Sequence, residues 1–256
     1  MSLGKSNLLC NIRIVLIHTS HPGNIGSAAR AMKTMGLSDL CLVKPKQFPH
    51  RQASAMSAHA DDLLEQAEVV DSLQAAIADC HVVIGTSARY QRSLPQDVFD
   101  SRHCGELVAE KLIQKQKVAL LFGRERTGLT NDELAHCQHL VHIPTNPDYS
   151  SLNVASAVQL LAYECRMALS ACYSKSKELS LGGADDLVTG KDLQGYYQQL
   201  EAMMIESKFL DPNEPRLLMR RLRKLYGRVD LTRSELNILR GMLVSFEKKM
   251  GNNKKM

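Results

Sequence analysis

Short runs of branched apolar residues recur along this chain, separated by stretches with helical spacing, and that alternation leaves few folds open. Ile12 to His18 (IRIVLIH) is almost continuously apolar, as a strand buried on both faces must be. Asn24 to Met35 reads as a helix closed by Gly36, a residue suited to the left-handed position after a helix end. Asp39 to Val43 (DLCLV) reads as the next strand, ended by Pro45, which completes a β-α-β unit with a right-handed crossover. Two further alternations follow. A helix over Asp71 to Asp79 leads into the strand HVVIGT (His81 to Thr86), and one over Gly105 to Lys115 leads into KVALLF (Lys117 to Phe122). Thr130 and Glu133 form a capping box for a short helix, and Leu140 to Ile143 is a last strand. A long helix, capped by Ser150 or Ser151, runs from Leu152 to about Tyr173, with Val154, Val158, Leu161, Cys165 and Leu169 at helical spacing. The expected class is α/β, built on a parallel sheet.

The last quarter reads differently. Ser174 to Lys191 is polar and contains glycine, as linkers do. Helices are expected at Asp192 to Ile205, Arg216 to Tyr226 and Arg233 to Met250, the last behind a capping box of Thr232 and Glu235, with no strand among them. The predicted organisation is an α/β domain over 1–173, a linker over 174–190 and a small all-helical domain over 191–256. Charge divides along the same line. Residues 191–256 hold 14 Lys or Arg against 8 Asp or Glu, a net +6; residues 1–190 hold 18 against 19, a net −1; together they give the chain's +5. A basic appendage on a nearly neutral body points to a polyanion, with nucleic acid the leading candidate. Arg216, Arg220, Arg223 and Lys224 recur at three- and four-residue spacing beside Leu217, Leu218, Leu222 and Leu225. They are the candidate RNA-binding face, although a solvated amphipathic helix gives the same pattern.

Seven scattered cysteines without a CxxC pair suit reduced thiols rather than a disulfide framework. His136, Cys137, His139 and His142 lack a second ligand cluster, so no metal is expected. The most apolar stretch near the start, Leu8 to Ile17, is broken by Asn11 and Arg13 and is too short for a bilayer. No membrane association and a cytoplasmic location are expected.

Three loops that follow apolar runs carry the chemistry: HPGNIGSAAR (His21 to Arg30), LLFGRERTGL (Leu120 to Leu129) and IPTNPDYSSLN (Ile143 to Asn153). Loops at strand ends line the ligand crevice of open parallel sheets, so the three predict one composite site. Each has an ordinary reading too: Arg30 a surface arginine, Glu125 a solvated ion pair with Arg124 or Arg126, the serines a helix cap. The spacing Gly23-x-x-Gly26-x-x-Ala29 also suggests a dinucleotide site, but that fingerprint wants an acid after the next strand, and Val43-Lys44-Pro45 has none.

Together these stretches resemble the motifs of the SPOUT methyltransferases, in the TrmH-like branch that methylates ribose 2′-hydroxyls in RNA. Asn24-x-Gly26-x-x-x-Arg30 matches the first motif, Leu121-Phe122-Gly123-x-Glu125-x-x-Gly128 the second, and Ile143-Pro144 through Ser151-Leu152-Asn153-x-Ala155 the third. The likeness extends through GTSAR (Gly85 to Arg89) and the C-terminal LNILRGML (Leu236 to Leu243). These further stretches are similar to a bacterial member that methylates the pyrimidine at position 32 of the tRNA anticodon loop. The resemblance implies a deep trefoil knot near the C-terminal end of the sheet, a homodimer, and S-adenosylmethionine as methyl donor. Thr86, Ser87 and Ala88, with Gly123 and Ile143, would hold the donor, together with Ser150, Ser151 and Leu152. It places Arg30 at the 2′-hydroxyl, with Asn24, Glu125, Ser151 and Asn153 as supports that orient Arg30, the loops and the ribose. Because a guanidinium normally stays protonated, a bidentate grip on the adjacent phosphate is the alternative role for Arg30. Besides a nucleotide-dependent oxidoreductase, the rival that the dinucleotide spacing suggests, a non-catalytic RNA-binding protein on the same fold is the other rival reading.

Overall fold

The computed structural model describes residues 8–87, 98–175, 187–212 and 217–253. The chain divides between Leu181 and Gly182 into two compact units.

In the first unit the apolar runs form strands because both their faces are covered. All six residues of β1 (Ile12–Ile17) are buried, and α1 (Pro22–Met35) follows, closed by Gly36 at φ 82°. Next come β2 (Asp39–Val43), α2 (Arg51–Ser57), α3 (Asp61–Glu65), β3 (Glu68–Val70), α4 (Leu73–Ala76) and β4 (Val82–Thr86). The unit is completed by β5 (Val98–Phe99), α5 (Ser101–Ile113), β6 (Val118–Phe122), α6 (Asn131–Leu134), β7 (His139–Val141) and α7 (Val154–Lys175). The seven strands form one sheet in the order β3-β2-β1-β6-β4-β7-β5, and every pairing is parallel. Register is set by alternation. Ile12, Ile14 and Leu16 join a core layer with residues of α1, α5 and α7, while Val15 and Ile17 join the opposite layer with α4 and α6.

Arg13, the one charged residue inside β1, is only 8% exposed. Its guanidinium meets Asp39 at 3.0 Å, Asp79 at 3.0 Å and Glu68 at 3.2 Å, and donates to the Ala76 carbonyl. Lys117 closes the cluster onto Asp39 and Asp79. These charges gather at the amino ends of β1, β2, β4 and β6, which leaves the carboxyl edge of the sheet for the three loops.

The second unit contains α8 (Gly190–Glu206), α9 (Leu218–Gly227) and α10 (Arg233–Asn253). Thr189 and Asp192 form a capping box at the start of α8, two residues before the start expected from sequence. Leu193, Tyr196, Leu200, Met204, Leu236 and Leu243 form a separate core, with Tyr226 edge-on to Tyr196 at 5.2 Å. Among the described residues, no helix is long and apolar enough to cross a membrane. No group of three His, Cys, Asp or Glu side chains there is placed to hold a metal ion.

Candidate functional site

The three loops converge on Glu125. It follows β6 in a tight turn whose ends are fastened by reciprocal backbone hydrogen bonds between Arg124 and Gly128. Gly128 has φ +66°, and a Cβ at Gly123 would overlap the Gly128 carbonyl carbon and the Leu129 nitrogen, so the turn requires glycine at both places. This geometry parts the three charged neighbours. Arg124 makes a bidentate pair with Glu133, at 3.0 and 3.1 Å, while the Glu125 carboxylate reaches the first loop. There it accepts from the Ser20 N–H (3.1 Å) and hydroxyl (2.8 Å), the His21 N–H (3.3 Å) and the Asn24 side-chain amide (3.1 Å). The ion pair expected between Glu125 and a flanking arginine is therefore not formed; the partner of Arg124 lies nine residues along the chain, in the capping box of α6. Burial acts to raise the Glu125 pKa, but hydrogen bonds from its own N–H, Ser20, Asn24 and His21 outweigh it and hold the group at about 2.

Asn24 passes the connection on. Its side-chain oxygen accepts from the Asn153 amide at 3.0 Å, and Asn153 in turn accepts from the Ala155 N–H at 2.8 Å. Asn153 thus caps α7, the role expected of Ser150 or Ser151; the helix starts two residues later than the sequence suggested, so both serines lie outside its first turn. One residue from each loop makes a continuous chain, Glu125 to Asn24 to Asn153. Ser20, which supplies a backbone and a side-chain donor, was absent from the sequence reading because nothing in its surroundings marks a contact 105 residues away.

Beside this chain lies a cavity of about 730 Å³, within the range of small-ligand sites. Thr86, Ser87, Gly123, Ile143, Ser150, Ser151 and Leu152 all line it, as do Asn24, Glu125 and Asn153. Ala88, the remaining expected donor-binding residue, lies outside the described residues. Two wall residues are fixed by the sheet: the Thr86 hydroxyl donates to the Leu121 carbonyl (2.9 Å), and the Ser87 N–H to the Val141 carbonyl (2.9 Å). Arg126 is exposed on the rim.

Arg30 is placed elsewhere. It is exposed on α1, its side chain has no partner among the described residues, and it lies in a shallow groove with Ser27, Thr34, Ser156 and Gln159. Asn24, Glu125 and Asn153 tie the three loops to one another, and none of them makes a hydrogen bond to Arg30. The reason is helical: six residues on from Asn24, a side chain points about 120° away around α1.

In the second unit, Arg223 stacks over the Tyr197 ring at 4.6 Å and donates to Gln194 at 3.1 Å. Burial lowers its pKa. It is a packing residue of that unit as much as a charge. Lys224 is half-buried, Arg221 and Arg228 are exposed, and Arg220 is half-buried. Arg216 lies outside the described residues.

A model of the SpoU rRNA methylase family matches residues 11–163, and one of the tRNA methyltransferase TrmJ C-terminal domain matches residues 191–255. The chain belongs to the SpoU methylase family, in its TrmJ branch. A TrmJ relative from Pseudomonas aeruginosa, named a tRNA (cytidine/uridine/adenosine-2′-O-)-methyltransferase, is 50% identical over 246 residues, covering 94% of this chain and 95% of its own. One from Klebsiella pneumoniae, named a tRNA (cytidine/uridine-2′-O-)-methyltransferase, is 49% identical, covering 94% of this chain and 98% of its own. Among solved structures, TrmJ from Z. mobilis ZM4 superposes with a TM-score of 0.77 at 32% identity, covering 92% of this chain and 98% of that one. The first match spans all three loops, and the second spans the basic C-terminal segment that holds α8 to α10.

Proposed function

We propose that the protein transfers a methyl group from S-adenosylmethionine to the ribose 2′-hydroxyl of a cytidine or uridine in tRNA, at position 32 of the anticodon loop. The observation that carries this reading is the Glu125–Asn24–Asn153 chain, which joins the three motifs into one wall between the large cavity and the face of α1 that bears Arg30. The cavity suits the donor by size and by its lining, which brings Thr86, Ser87, Gly123 and Ile143 together with Ser150, Ser151 and Leu152. When bound, S-adenosylmethionine supplies an electrophilic methyl on a sulfonium whose leaving group departs neutral, so no metal is called for.

The chain's residues do the rest. Glu125 stays ionised and fixes the first loop; Asn153 fixes the start of α7 against Asn24. Arg30 is a fork of donors rather than a base, and it grips the phosphate next to the target ribose so that the hydroxyl is held in line. The strand order supports a knotted passage of the chain here, since β6 enters between β1 and β4 and the chain then crosses β4 again to reach β7. Exposed Leu160, Tyr163 and Met167 share one face of α7 and support a homodimer through that helix. Arg221, exposed on α9, and Arg228 just after it support tRNA as the polyanion, and a tRNA substrate accords with a cytoplasmic location.

Methyl transfer from labelled S-adenosylmethionine to unmodified tRNA, wild type beside Arg30→Ala, tests the reading. The expected product is a 2′-O-methylpyrimidine, lost by at least roughly 100-fold in the variant while donor binding is kept. Label on a base atom, or full activity in Arg30→Ala, contradicts it.

A further inference from the structure

A second groove, of about 430 Å³, opens between α1, α2 and the start of α7. His21, Asn24 and Asn153 line it and the large cavity alike, so the Asn24–Asn153 hydrogen bond stands between the two spaces. Ser27, Ala155 and Ser156 also line the depression that holds Arg30, so the groove runs on toward that residue. Its outer wall is Gln52 and Met56, one helical turn apart on α2 and both exposed. The Gln52 backbone N–H is taken by His50 Nδ1, but its side-chain amide has no partner among the described residues.

These two side chains are held in place. A Cβ at Gly23 would stand 3.3 Å from Gln52 Nε2 and 3.5 Å from Met56 Cγ, so both lie directly over the turn that opens α1. Helix α2 is itself locked to α1, because a Cβ at Gly26 would overlap the Ala53 carbonyl oxygen, and Ala53 is fully buried. The groove therefore pairs an uncommitted amide with a polarizable apolar surface, beside the wall where the methyl acceptor must be presented.

We propose that this groove receives the base of the methylated nucleotide, with Gln52 reading its Watson–Crick edge and Met56 packed against its face. The proposal rests on the tRNA-methylating reading above. Bases of single-stranded loops are recognised in this way, by edge hydrogen bonds and contact with a flat or apolar surface. A side-chain amide carries an acceptor and two donors. Turned one way, it accepts from the cytosine N4 amine and donates to N3. Turned the other, it accepts from uracil N3–H and donates to O4. One residue thus serves both pyrimidines, and the same pair of groups also suits adenine, which the Pseudomonas relative's name includes.

The test compares kcat/KM for wild type, Gln52→Glu and Gln52→Ala on two tRNA transcripts that differ only in carrying cytidine or uridine at the target position. A carboxylate can only accept, so Gln52→Glu keeps one bond on either edge, from the cytosine N4 amine or the uracil N3–H, and sets an acceptor against cytosine N3 or uracil O4. kcat/KM falls on the order of tenfold on both transcripts. Gln52→Ala lowers kcat/KM for both transcripts and moves the ratio toward one. Binding of S-adenosylhomocysteine, measured by calorimetry, is unchanged in both variants. Unchanged kcat/KM on both transcripts in the two variants, or a loss matched by weakened S-adenosylhomocysteine binding, would take Gln52 off the base edge and overturn the proposal. A wild type inert on both transcripts would instead overturn the tRNA reading, and this proposal with it.

Discussion

Four donors from one loop close on the Glu125 carboxylate, and the charge they hold is the reason that loop keeps its shape. Gln at this position would turn an amide donor toward the Ser20 N–H and hydroxyl, leaving one of these donors unpaired. The expected loss for Glu125→Gln is about 1–3 kcal/mol at neutral pH. The sign of the pH dependence follows from the depressed pKa. A carboxylate held at about 2 when folded, against about 4.3 when unfolded, contributes stability that is fully present above the unfolded value. It is lost as pH falls from there toward about 2. Denaturant unfolding of wild type and Glu125→Gln at a series of pH values should therefore show two curves that converge on acidification. A gap that stays constant down to pH 2 would mean that the carboxylate's charge is not what secures the loop.

Among elements, α9 shows how two arginines on one helix can do opposite work. Arg223 is spent on Tyr197 and Gln194, whereas Arg221 is exposed. Arg223→Ala should lower the melting temperature of the helical unit and weaken tRNA binding only through that loss. Arg221→Glu combined with Lys224→Glu should leave the melt in place, weaken tRNA binding, and reduce the slope of log affinity against log salt by about 1 per phosphate contact removed. An unchanged slope in the double variant would remove α9 from the RNA interface. Elements also mark what was legible in the sequence. Strands β1, β2, β4 and β6 were readable because burial on both faces demands unbroken branched apolar runs. Helix α2 was not, since in RQASAMS only Ala53 and Ser57 are buried and no apolar period survives. Strands β3 and β5 escaped for the opposite reason: at the sheet edges, two or three half-exposed residues leave no pattern. The site followed the same logic. Residues that act through type and spacing, such as Asn24, Glu125 and Asn153, were found from their motifs. Ser20 meets Glu125 only because the ends of β1 and β6 lie side by side, and no local pattern announces that.

At the scale of the molecule, the two units share no core residue: two apolar layers flank the parallel sheet in the first, and one cluster lies among α8, α9 and α10 in the second. Charge is divided in the same way, nearly neutral before residue 191 and net +6 after it, from 14 basic against 8 acidic residues. A ligand stabilises only the cooperative unit that binds it, by RT ln(1 + [L]/Kd), or about 2.7 kcal/mol at a hundredfold excess over Kd. Calorimetry of the full chain should then resolve two transitions. S-adenosylhomocysteine should raise the one that belongs to the sheet-bearing unit and leave the other in place. Arg223→Ala, which removes a packing contact from the helical unit alone, should lower the other and spare the first. Two perturbations that each move a different transition would establish that donor binding and the basic appendage rest on independent folding units. A single transition that responds to both would mean that the cores melt as one cooperative unit.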